Sequence, residues 1–188
     1  NTGDHKKESK IYETGLSIFP DNDWLIYNQA KCAISLGDTA KSSELVNKLV
    51  AVCKEKGYPA EGLESGLGDL YLEAKSLIKS EEHYRRALEL KPESPDVMRS
   101  LAYLLINYNN KVDEGMKLIN RALELSPGNP IYLRTLGLGY YKQGKYEEAL
   151  SKYKVAWDIN NGYGDTLKWP YDKRHIEFNI NARRMNFE

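Results

Sequence analysis

The chain has 188 residues, enough for one domain with a real core or for a short solenoid. Its 27 basic residues balance 27 acidic ones, so there is no net field to draw in nucleic acid or an anionic membrane. No apolar run approaches the roughly 20 residues a membrane span requires, and a soluble protein of the cytoplasm or periplasm is expected.

Lys6 to Phe19 reads as a helix with Ile11, Tyr12, Gly15, Leu16 and Ile18 on its apolar side, ended by Pro20. Gly3-Asp4 ahead of it looks like the turns at Gly37-Asp38 and Gly144-Lys145, so the chain is expected to open halfway through a helix pair, with more protein upstream. A lone helix of that length is marginal in water and must pack on its neighbour in the chain. Asp23 to Leu36, capped by Asn22 or Asp23, turns Ile26, Ala30 and Ala33 inward. Its partner, Thr39 to Lys56, is apolar at Leu45, Val46, Leu49, Val50 and Val52 and is broken by Gly57, Tyr58 and Pro59. Glu61 to Lys75 carries Leu63, Leu67, Gly68 and Tyr71, and Leu77 to Leu90 carries Tyr84, Ala87 and Leu88. Pro95 to Asn107 begins with a proline pre-shaped for a first turn and presents Met98, Leu101, Ala102 and Leu105. Tyr108 to Asn110 is a loop, and Val112 to Leu125 completes the pair through Gly115, Ile119 and Ala122.

The stretch from Ile131 to Asn160 carries the clearest packing code: Leu133, Leu136, Gly137 and Tyr140 on one helix, then Ala149, Tyr153 and Ala156 on the next. Gly137 and Ala149 leave the two backbones room to touch, while the tyrosines fill the space beside them. In residue types and spacing this stretch resembles the tetratricopeptide repeat. The period agrees, with 35 residues from Pro92 to Pro127 and 34 from Pro127 to Asn161. The resemblance implies an all-α fold, a right-handed superhelix of stacked helix pairs in a single domain. It divides the chain into a half-repeat at 1–20 and full repeats at 21–59, 60–93, 94–128 and 129–161. The remaining segment, 162–188, is expected to cap the last pair, with Asp172 to Met185 as a closing helix. Gln29 stands where the family has leucine, a departure that loosens the first full repeat.

No catalytic constellation is visible, and no cofactor is called for. His5, His83 and His175 lack the spacings of a metal site and read as exposed or satisfied histidines. Cys32 lies five residues from the Gly37 turn and Cys53 about fifteen, too far apart for a disulfide across an antiparallel pair at about 1.5 Å of rise per residue. Glu81-Glu82 and Glu147-Glu148 are expected in first turns of second helices, where carboxylates complement the helix dipole.

In the resembled family, first helices line a concave groove that reads partner peptides. Carried over by position, that face would show Trp24, Tyr27 and Lys31, then Ser65, Asp69 and Glu73, then Arg99, Tyr103 and Asn107, and finally Arg134, Leu138, Tyr141 and Lys142. Arginines in matching places beside tyrosines suit an acidic or aromatic peptide. Members that hold acidic chaperone tails carry a Lys and an Asn four apart, whereas here Arg99 is followed by Tyr103 and Arg134 by Leu138, so that clamp is absent. The expected function is therefore a non-catalytic scaffold binding a protein or peptide partner. The alternative is an accessory segment of a larger enzyme, such as a hydrolase or peptidase. RNA binding would need a strongly basic groove, which Asp69 and Glu73 oppose.

Overall fold

The computed structural model of the chain describes residues 2–162. The described elements are all helical: α1 (Thr2–Ile18), α2 (Asp23–Leu36), α3 (Thr39–Glu55), α4 (Ala60–Glu73), α5 (Leu77–Leu90), α6 (Pro95–Asn107), α7 (Val112–Leu125), α8 (Pro130–Lys142) and α9 (Tyr146–Gly162). No strand occurs among the described residues. The expected closing helix and His175 lie outside them.

The chain divides after Pro92 into two compact units, Asn1–Pro92 and Glu93–Glu188. In the first, α2 packs on both α1 and α3, α4 packs on α5, and α2 meets α4. In the second, α6 packs on α7 and α8 on α9, while α8 also touches α6 and α7. Within each unit the opening helices of the two full pairs thus meet, the layering a repeat array needs to bury faces that one pair leaves open.

Local chemistry sets the helix ends. The side chains of Asn22, Asp38 and Asn129 accept from the backbone N–H groups of Leu25, Lys41 and Ile131, and Pro95 and Pro130 fill first turns. Between the helices of each full pair the backbone turns through the left-handed region, at Gly37, Lys75, Asn110 and Gly144. Glycine takes that conformation without strain and asparagine tolerates it, but Lys75, at φ 62°, does not do so freely.

Close approach explains the small residues. A Cβ on Gly68 would lie 2.5 Å from the ring of Tyr84, and one on Gly137 3.2 Å from Tyr153, so each tyrosine presses on bare backbone of the partner helix. The α6/α7 pair reverses the arrangement: its glycine, Gly115, is on the second helix, against Ile106 and the Ala102 carbonyl. The core of the first unit gathers Ile26, Ala30, Ala33, Leu45, Leu49, Leu67 and Leu70.

Three expectations change. Helix α1 begins at Thr2, so Gly3-Asp4 is helical rather than a turn, and Ile11 and Ile18 are 68% and 64% exposed rather than inward. The cause is Gln29. Buried in α2, its amide must be answered, and its Nε2 donates to Ser9 Oγ at 3.0 Å and Glu13 Oε1 at 3.3 Å. Ser9 and Glu13 therefore face the seam, and Ile11, two residues from each, is carried about half a turn away to the outside. Further on, α5 starts at Leu77, which leaves Glu81 and Glu82 beyond its first turn, and Glu81 instead pairs with Arg85 one turn later at 2.6 Å. Glu147 and Glu148 do sit in the first turn of α9.

Candidate functional site

The first unit holds a cavity of about 600 Å³ between α2, α3 and α4. Leu49, Leu63 and Leu67 make its apolar wall, and Trp24, Tyr27 and Tyr58 its aromatic rim. Trp24 is 62% exposed, and Tyr12 meets its ring edge-to-face at 5.8 Å. At one end Asp23 accepts from the Tyr58 hydroxyl at 3.1 Å and pairs with Lys56 at 3.0 Å. The bond to Lys56 chiefly holds the Asp23 carboxyl below its ordinary range, against the opposing effect of burial. At the other end Glu73 takes the Tyr27 hydroxyl at 3.3 Å and the Lys31 ammonium at 3.0 Å, a link between α2 and α4. Burial first, then the charges of Glu73 and Asp69, push the Tyr27 phenol up.

Of the residues expected to bind in this unit, Trp24 and Tyr27 line the cavity. Lys31 is engaged by Glu73, and Asp69 accepts from the Tyr84 hydroxyl at 2.5 Å across the α4/α5 pair. Both charges hold helices together. His83, read as satisfied, bonds Glu64 at 2.7 Å and stacks on Tyr71. Cys32 and Cys53 are buried free thiols, and Cys53 lines the cavity.

The second unit holds a smaller cavity, about 230 Å³, lined by Arg99 and Tyr103 from α6, by Ile131, Arg134, Thr135 and Leu138 from α8, and by Tyr153 from α9. Four residues inferred from the sequence, Arg99, Tyr103, Arg134 and Leu138, thus come together. Neither arginine has an ion-pair partner among the described residues, and Arg99 Nε is buried without a hydrogen-bond partner. The nearby Asp96 accepts the Tyr132 hydroxyl at 2.6 Å. Asn107 donates to the Tyr103 hydroxyl at 3.3 Å, and Tyr108 packs edge-to-face on the Tyr103 ring. Tyr141 packs instead on Tyr146 and beside the Ala149–Tyr153 cluster, and is not among the residues lining this cavity.

Sequence reasoning did not assign Tyr58, Cys53 and Leu49 to a site, because it sought the binding face on first helices, whereas these come from a second helix and an inter-repeat loop. Tyr58 could have been found as an aromatic held between Gly57 and Pro59.

Known proteins share this fold. The tetratricopeptide repeat family model matches residues 66–94, the α4/α5 pair. The TPR repeat-containing protein MJ1428 of Methanocaldococcus jannaschii is 37% identical over 107 residues, covering 50% of this chain and 19% of that protein. The chain spans only 18–25% of the length of the curated relatives it matches. Among solved structures, BtubC from P. vanneervenii aligns with a TM-score of 0.63 at 18% identity, covering 96% of this chain and 80% of that one. YrrB, described as a TPR protein with an unusual peptide-binding site, aligns with a TM-score of 0.54 at 15% identity, covering 97% and 84%. These two share the fold. Helix pairs repeating every 34 or 35 residues, glycine-to-tyrosine contacts in two of them, and these matches make the chain similar to tetratricopeptide repeat proteins and give it their fold.

Proposed function

We propose that the chain is a non-catalytic protein-interaction scaffold that captures an acidic segment of a partner through the arginine-lined cavity of the second unit. The observation that carries this reading is Arg99: its Nε is buried with no hydrogen-bond partner among the described residues, and Arg134 lines the same cavity. A buried guanidinium donor left unanswered costs about 1–3 kcal/mol or more, which a carboxylate accepting in two-pronged fashion removes. A space of about 230 Å³ suits one side chain or a chain terminus, below the roughly 300 Å³ at which small-molecule pockets begin. Tyr103 adds rigid contact area at its edge. The cavity of the first unit, apolar with an aromatic rim, suits an apolar or aromatic side chain of a partner. Peptide binding by YrrB, a protein of the same fold, supports the general assignment.

The test is fluorescence anisotropy with a library of acidic and neutral peptides. Wild type should select acidic peptides, and Arg99→Gln with Arg134→Gln should weaken that binding by about 30-fold or more while circular dichroism stays unchanged. A wild type indifferent to peptide charge would overturn the acidic preference. A second reading, an accessory segment of a larger enzyme such as a hydrolase or peptidase, draws on the chain spanning a quarter or less of its relatives. Deleting this segment from a full-length parent and measuring turnover would separate the two.

A further inference from the structure

The α1–α2 seam brings together three donors that lie apart in the sequence. His5 and Glu8 stand one turn apart on α1, and Cys32 faces them from α2. His5 Nδ1 is 3.1 Å from Glu8 Oε2, Cys32 Sγ is 3.8 Å from the same oxygen, and the three candidate ligand atoms all lie within 4.8 Å of one another. Around a tetrahedral centre with bonds of about 2.0–2.3 Å, ligand atoms sit about 3.3–3.5 Å apart, so two of the three spacings already bracket that value.

We propose that His5, Glu8 and Cys32 form a binding site for a divalent cation of borderline softness, with zinc the best match. Thiolate and imidazole favour such an ion over magnesium or calcium, and the carboxylate supplies the hard third ligand. A fourth position falls to water, reached through the side chains of His5 and Glu8, which are 34% and 46% exposed. Without metal, burial and the Glu8 charge keep the Cys32 thiol protonated, and it donates to Glu8. On binding, the ion forms the bond to sulfur and the thiol proton leaves to the buffer, while Glu8 exchanges a hydrogen bond for a metal bond. In the same seam Gln29 Oε1, one turn before Cys32 on α2, is buried without a partner among the described residues. The ion would pin α1, whose outer face at Ile11 and Ile18 is exposed, to the buried face of α2.

The chain titrated with cobalt(II) alone tests this. One equivalent should give a near-ultraviolet thiolate-to-cobalt charge-transfer band, and excess zinc should displace it. The band should survive Cys53→Ser and vanish in Cys32→Ser. Because Cys32 is buried and its variant could misfold, His5→Ala and Glu8→Gln provide a second measure: each should weaken zinc binding by at least about tenfold with the fold intact, and the zinc-induced rise in Tm should disappear. No stoichiometric band, a band that depends on Cys53, or unchanged zinc affinity in both α1 variants would overturn the proposal.

Discussion

Gly66 and Gly68 stand two apart on α4 and meet opposite surroundings. Nothing lies within 4 Å of a Cβ built on Gly66, whereas one on Gly68 would strike the ring of Tyr84. That ring cannot retreat, because it is fully buried and its hydroxyl is tied to Asp69. Gly66→Ala should therefore stabilise by about 0.5–1 kcal/mol, the ordinary gain of alanine over glycine inside a helix. Gly68→Ala should destabilise by about 1–3 kcal/mol through overpacking, and urea denaturation of the pair reads both signs. The packing glycines were legible, since Gly68 and Gly137 fall where the motif puts them and the structure sets each against its tyrosine. The outward turn of Ile11 was not. A polar residue at Gln29 shows only that an apolar contact is missing; which residues of α1 come to answer it depends on the rotation of α1 against α2, which no residue spacing states.

Between elements, Tyr132 joins the start of α8 to the start of α6. Its ring is buried, and its hydroxyl donates to Asp96. Burial first, then the bond to Asp96 and its charge, push the phenol up to about 12, with Arg99 drawing it back. An unfolded tyrosine titrates near pH ~10, so the folded chain holds this proton more tightly than the unfolded one. The stabilisation is whole below about pH 10 and is lost as the pH climbs through about 12. Tyr132→Phe lacks this titration. In urea melts, the advantage of wild type over Tyr132→Phe should shrink between pH 10 and 12, and a constant gap would exclude this linkage. The element boundaries were largely legible from caps and prolines. Which charges bond across helices was not: Lys31 and Asp69 read as open to a partner, and the fold pairs them with Glu73 and Tyr84.

At the scale of the whole chain, a repeat array is held by contacts between neighbours, so damage should stay local. Gly68→Ala should speed amide exchange in α4 and α5 by roughly 5- to 100-fold, in line with the loss expected from overpacking, and leave α8 and α9 within about twofold. Equal acceleration in both units would mean that the chain opens only as one body. The number and order of helix pairs could be read from the period. The division after Pro92 could not, because Pro92 recurs in the same phase as Pro127 and nothing local distinguishes it.

Lys75 occupies a hairpin corner that Gly37 and Gly144 fill in two other repeats, and it lines neither cavity. The chain therefore carries conformational tension at a corner outside both cavities. Relaxing that corner with glycine should raise the thermal ceiling of the first unit and leave the lining of both cavities as it is. Durability and selectivity can then be adjusted separately in this molecule, a separation useful to anyone who means to graft a new specificity onto it.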